Sequence, residues 1–202
     1  MKIKKVNQIQ GGFFQKNFKF GLKYIKENRN FIYIVTGIFF FFVLVGYFFP
    51  APDFIAKIIL DFIEELLKRT QNMSWAELTG FIFFNNLQSS FFGMVFGIVL
   101  GIFSIITVII NGYLLGFVSA RVVSAEGITS LWRLLPHGIF ELPAVLISMG
   151  LGLKIGTFIF QKKKIKSLKE FFLSSFKTFL FVILPLLVIA ALIETTLIFF
   201  FD

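Results

Sequence analysis

A chain of 202 residues that is 57% hydrophobic, with 32 Phe, carries more apolar surface than a water-soluble domain of its length can bury, which points to a bilayer as its solvent. The absence of Cys excludes disulfides and thiolate metal sites, and the net charge of +9 is accounted for by Lys-rich flanks that face lipid headgroups, so nucleic-acid binding is not needed to explain it.

The first 30 residues are mostly polar. Within them Phe13, Phe14, Phe18, Phe20, Leu22 and Ile25 interleave with Lys16, Lys19, Lys23 and Lys26, which predicts a basic helix lying on the cytoplasmic membrane surface. Residues 31–49 have no charge and end at Pro50 and Pro52, long enough to cross about 30 Å of hydrocarbon. No small-residue cleavage site ends this run, so it reads as a retained span. Residues 53–69 place Phe54, Ile58, Phe62 and Leu66 on one helical face and Lys57, Asp61, Glu64, Glu65 and Lys68 on the other, an amphipathic surface helix. Residues 79–123 are almost uncharged and would measure about 67 Å as one helix, too long for a single crossing. Residues 137–160 and 178–201 each supply one span.

Charge fixes the parity. Lys2, Lys4, Lys5, Lys16, Lys19, Lys23, Lys26 and Arg29 precede the first span, and Lys162, Lys163, Lys164, Lys166, Lys169 and Lys177 precede the last. Both clusters belong in the cytoplasm, so an even number of crossings separates them and the 79–123 stretch crosses twice, near 79–101 and 103–123. The expectation is an all-α integral membrane helical bundle: a basic segment over 1–30, then a transmembrane domain over 31–202 with five spans and an extracytoplasmic helix. It is multi-pass in the cell membrane, with the amino terminus cytoplasmic and the carboxyl terminus outside. The turn near 97–104 has no charge to mark it, and a re-entrant segment is the alternative there.

In that arrangement polar groups gather in the outer leaflet. Counted at 1.5 Å per residue, Glu141 lies about 6 Å from its boundary, and Asn85, Asn86 and Glu194 about 9 Å. Gln88 and Asn111 are expected deeper, and Arg121 and Arg133 at the outer surface within reach of a carboxylate. Ionisable groups at membrane depth point to function, while the structural alternative is that these groups hydrogen-bond between helices and fix packing. His137 and Glu141 are four apart and share a face on a helix. With no other His and no Cys, a metal site lacks ligands, and no cofactor is expected. Glu64, Glu65 and Arg69 repeat a Glu-Glu-x-x-x-Arg string of intramembrane prenyl-protein proteases, but on a charged helix face and without the further histidines those enzymes need. No nucleophile elbow, zinc-protease helix or phosphate loop is present, so the chain reads as non-enzymatic. Ser89, Gly93, Gly97 and Gly101 repeat every four residues, as do Gly112, Gly116 and Ala120. Such ladders bring helices into backbone contact, either within the chain or in a homodimer.

These motifs together resemble the stage II sporulation protein M family. The resemblance rests on Phe84-Asn85-Asn86-Leu87, the ladder Gly93/Gly97/Gly101, Asn111-Gly112-Tyr113-Leu114-Leu115-Gly116, and the string from Pro136 through His137, Glu141 and Pro143 to Ala144, with Gly150, Gly152 and Gly156 behind it. It spans roughly residues 30–200 and implies a five-span membrane fold. The sporulation member resembles a scaffold that gathers cell-wall hydrolases at a septum. That specific role is not implied here. Two functions therefore stand: a scaffold for partner membrane or extracytoplasmic proteins, and a transporter or binding protein for a lipid, ion or solute that uses the outer-leaflet polar site.

Overall fold

The computed structural model describes residues 12–49, 51–134 and 141–201, the side chains of 132–134 and 201 excepted, and these residues are helical apart from the short turns that join the helices, with no strand among them. Helix α1 (Phe13–Glu27) leads through Asn28 into α2 (Arg29–Phe48). After Pro52, α3 (Asp53–Thr70) carries an acid in its first turn and Lys68 and Arg69 in its last, complementing the helix dipole. A capping box opens α4 (Trp75–Val95). The Ser74 backbone N–H donates to Glu77 Oε2 over 2.8 Å, while the Glu77 N–H donates back to Ser74 Oγ. A short 3-10 turn, Phe96–Ile98, finishes that span. Helix α5 (Ile102–Glu126), a 3-10 segment (Ile128–Leu134), α6 (Leu142–Gly156) with a 3-10 tail (Thr157–Phe160), α7 (Lys164–Thr178), a π-helical turn (Phe179–Ile183) and α8 (Leu184–Phe201) complete the chain. Five helical stretches are long and apolar enough to cross a membrane, and they include both halves of the 79–123 stretch.

The turn between the second and third spans is Val99–Gly101, where Leu100 and Gly101 adopt φ of 56° and 73°. Glycine tolerates that left-handed region readily, which is how an uncharged sequence reverses direction here. The last helical stretch is longer than the sequence suggested. It runs as 37 residues from Lys164 to Phe200, about 55 Å and well over one bilayer thickness. Its basic first half, α7, packs along α1: Gly21 sits against Val182 and Thr178, the Phe13 and Phe14 rings meet Phe181 at 5.6 and 5.7 Å, and the Lys177 ammonium lies 4.4 Å from the centre of the Phe20 ring. By contrast α3 has no extended packing partner among the described residues.

Helix α6 is the most deeply buried of the five spans. It lies beside α4 running the same way, with Gly93 against Met149 and Gly97 against the backbone of Gly152. The Ser148 hydroxyl donates to the Ser90 carbonyl and Ser104 to the Gly93 carbonyl, each over 2.7 Å. At the end of α6, Gly156 seats the Leu100–Gly101 turn. A second close pair joins α2 and α5, also running the same way: Gly112 lies under the Phe39 carbonyl, Gly116 under that of Val43, and Gly46 against Tyr113 and Phe117. The glycine ladders therefore face α6 and α2 within the chain, not each other. Met94, Leu151, Ile155, Phe179, Ile183 and Leu187 fill one core, and Val35, Phe39, Val108, Val145 and Met149 a second.

These contacts set an expectation for stability. Gly97→Ala and Gly116→Ala each drive a methyl group into backbone that cannot retreat, and should cost about 1–3 kcal/mol. A Cβ at Gly37 or Gly80 meets nothing within 4 Å, so Ala there should be neutral or slightly stabilising. Thermal unfolding of the four variants in one detergent distinguishes these outcomes.

Candidate intramembrane polar site

Because the glycines of α4 turn toward α6 and those of α5 toward α2, the consecutive helices α4 and α5 share little packing with each other. Above their common turn they leave a wedge, and polar residues line it. Helix α4 contributes Asn85, Asn86 and Ser89, α5 contributes Thr107 and Asn111 one turn apart, and Glu141 stands at the start of α6, where the helix dipole favours a carboxylate. Together with Phe39, Val108, Leu142, Val145, Leu146 and Met149 they enclose a cavity of about 110 Å³. A water needs roughly 10–15 Å³ measured this way, so the space holds several waters or a small polar group.

Two clefts adjoin it. One, of about 300 Å³ between α4 and α5, shares Asn85, Ser89 and Thr107 and adds Gln88, Phe92, Gly93, Phe96 and Phe103. The other, of about 250 Å³, shares Phe39, Asn111, Glu141 and Leu142 and continues along Leu114, Leu115 and Val118. Asn85, Gln88 and Asn111 are exposed at these openings, while Asn86 is buried. The Asn111 amide donates to the Thr107 carbonyl over 2.8 Å. No side-chain hydrogen bond joins Asn85, Asn86 or Gln88 to another described residue.

Of the residues singled out in the sequence, Asn85, Asn86, Asn111 and Glu141 line this one cavity. Asn111 is not deeper than the others: the parallel register of α5 against α2 carries it to the level of Glu141. Glu194 is buried on α8 beside Thr195 and lines none of these three spaces; α8 meets α4 along Leu78, Ile82 and Ala191. His137, and with it the helical pairing expected of His137 and Glu141, lies outside the described residues, as does the Arg133 side chain. The Arg121 guanidinium rests 5.2 Å from the centre of the Phe117 ring. Thr107 and Ser89 also line the cavity: Thr107 precedes Asn111 by one turn, a spacing that signals a shared face, and Ser89 stands in the four-residue repeat with Gly93, which masks it as a packing residue in the sequence.

Stability should separate site from packing. Ser148→Ala removes a buried interhelical hydrogen bond and should cost about 0.6–1.7 kcal/mol. Asn85→Leu replaces an exposed amide with hydrocarbon at membrane depth and should leave the unfolding temperature unchanged or higher. A large drop for Asn85→Leu would make that amide a packing residue.

The family model for stage II sporulation protein M matches residues 35–197, a range that includes every residue of the cavity. An uncharacterized protein of Methanocaldococcus jannaschii is 38% identical over 117 residues, covering 54% of this chain and 65% of that one. No solved structure matches. With the family match extending over all five spans, this chain belongs to the stage II sporulation protein M family.

Proposed function

We propose that this protein binds a small polar group inside the membrane, without catalysis, as a transport or binding protein does. One observation carries the reading: the amides of Asn85 and Asn111 are exposed within spans that hydrocarbon surrounds. The Thr107 carbonyl meets part of the Asn111 amide, but the Asn85 amide has no side-chain hydrogen bond to another described residue; leaving an amide without a hydrogen-bonding environment costs about 2–7 kcal/mol, so water or a polar ligand belongs against it. Lys-rich α1 and α7 share one end of the bundle and go to the cytoplasmic side by the positive-inside rule. Alternation of the five spans then puts α3 and the carboxyl terminus outside and the site in the outer leaflet of the cell membrane.

A scaffold is the second reading, favoured by α3. Phe54, Ile58 and Phe62 are exposed along it, and it has no extended packing partner among the described residues. Its charged positions form Glu64–Lys68 and Glu65–Arg69 pairs one turn apart. Lys68 holds the Glu64 carboxyl below the usual carboxylate range. A partner membrane or extracytoplasmic protein would meet this helix.

The absence of native Cys gives a clean background for labelling. In lipid, Asn85→Cys and Asn111→Cys should react with a small, water-soluble, membrane-impermeant thiol reagent about tenfold faster than Ile110→Cys, which faces outward on the same helix as Asn111. Equal inertness of all three positions means a dry cavity, and the scaffold reading then replaces this one.

A further inference from the structure

At the lysine-rich end of the bundle, α1 meets α2 at Asn28. That residue is buried, its side-chain amide donates to the Tyr24 carbonyl over 2.9 Å, and its backbone N–H reaches the same carbonyl over 3.1 Å, so the joint between the two helices is fixed in place. Beside the joint lies an open cleft of about 600 Å³ lined by Lys23, Lys26, Glu27, Arg29 and Asn30. The ring of Phe31, the next residue of α2, lies against Lys154 near the end of α6, so the cleft is at the other end of that helix from Glu141.

Charge around the cleft is unbalanced. Lys23 pairs with Glu27 over 3.7 Å, and Glu170, the one acid on α7, pairs with Lys166 over 3.8 Å. Among the described residues no carboxylate pairs with Lys26 or Arg29. Outside the described residues the sequence has one acid, Asp202, which follows α8. The cleft therefore presents an ammonium and a guanidinium fork to whatever enters it, a combination suited to the oxygens of a phosphate group.

What adjoins the cleft selects the source of that phosphate. One turn beyond Arg29 and Asn30, the exposed side of α2 continues as Tyr33 and Ile34 and then as Phe40 and Phe41, each at least half exposed, in a span that hydrocarbon surrounds. A soluble anion would leave this apolar strip uncovered, whereas a phospholipid fits both parts, its head in the cleft and its first chain carbons on Tyr33 and Ile34. A zwitterionic head would bring its own cation toward Lys26 and Arg29. We propose that the cleft at the α1–α2 joint binds the net-anionic headgroup of a phospholipid from the adjoining leaflet, with Lys26 and Arg29 on its phosphate. This site is separate from the polar cavity and does not depend on what the cavity holds.

The test uses the full chain in phosphatidylcholine nanodiscs, with a fluorophore on Ile34→Cys and a nitroxide high on one acyl chain of added phosphatidylglycerol or phosphatidylcholine. Quenching should show the labelled phosphatidylglycerol enriched at the fluorophore about fivefold over the labelled phosphatidylcholine. A fluorophore on Ile102→Cys, which is exposed at the same end of the bundle, should show a preference under about twofold. Lys26→Gln with Arg29→Gln should abolish the preference at Ile34→Cys. Lys162→Gln with Lys163→Gln removes the same charge from exposed positions and should keep it. Quenching by the neutral lipid, unchanged across the set, reports that each variant is inserted. An equal preference at Ile102→Cys, or equal loss in the two double variants, reduces the effect to general attraction by the lysine-rich end and overturns the site. Loss of the preference in millimolar glycerol phosphate makes a free phosphate the occupant in place of a lipid, and no preference in the parent chain overturns the anion site altogether.

Discussion

Backbone contact between spans is the constraint on which this fold depends. Lipid tails are as apolar as Leu, so helices in a bilayer gain little from burying apolar surface against each other, and close packing has to supply the attraction. Here it is supplied at two seams, α4 on α6 through Gly93, Gly97 and Gly152, and α2 on α5 through Gly46, Gly112 and Gly116. Each helix of the α4–α5 hairpin is thus held by a different neighbour. The polar wedge between them follows from this division: near their common turn the Ser104 hydroxyl of α5 still bonds the Gly93 carbonyl of α4, and above it the two helices part toward separate seams.

The polar groups divide along the same line. Ser148 sits in the α4–α6 seam and Ser104 joins α5 to α4 near their turn; both are fully buried and donate to carbonyls of the facing helix, so their cost of burial is met by the protein. Asn85, Gln88 and Asn111 lie on the open side, exposed at membrane depth. Hydroxyls that can turn inward hold the bundle together, whereas the amides of Asn85 and Gln88 line the gap. At the basic end, Lys154 lies half-buried between the Phe171 and Phe31 rings, 3.9 and 5.3 Å from their centres, tying α6 to α7 and α2.

Much of this was legible in the residues. Uncharged runs bounded by Pro and Lys give the spans, and the parity of Lys clusters gives their number. The polar residues Asn85, Asn86 and Glu141 mark the cavity because few other polar groups occupy those runs. What could not be read was partnership. A glycine repeat says that a backbone comes close without saying whose, and it took the structure to assign Gly97 to α6 and Gly116 to α2. Glu194 shows the same limit: depth along α8 carries no rotation, and the residue lines none of the three spaces that Asn85, Asn86, Asn111 and Glu141 border. The extension of the last helix back to Lys164 was hidden by its lysines, which look like a loop until α1 is seen packed along them.

The reversal at Leu100–Gly101 bears on how the protein reaches the membrane. From Thr79 to Ala120 the sequence has no charged residue, so the tip of the α4–α5 hairpin carries no signal that would retain it on one side during synthesis. Its direction must be inherited from α2 before it and from the lysines that follow α6. Only the later arrival of α6, on whose Gly156 that turn comes to rest, would anchor it. Biogenesis would be finished from the carboxyl-terminal half, leaving the nascent hairpin to depend on chain not yet made.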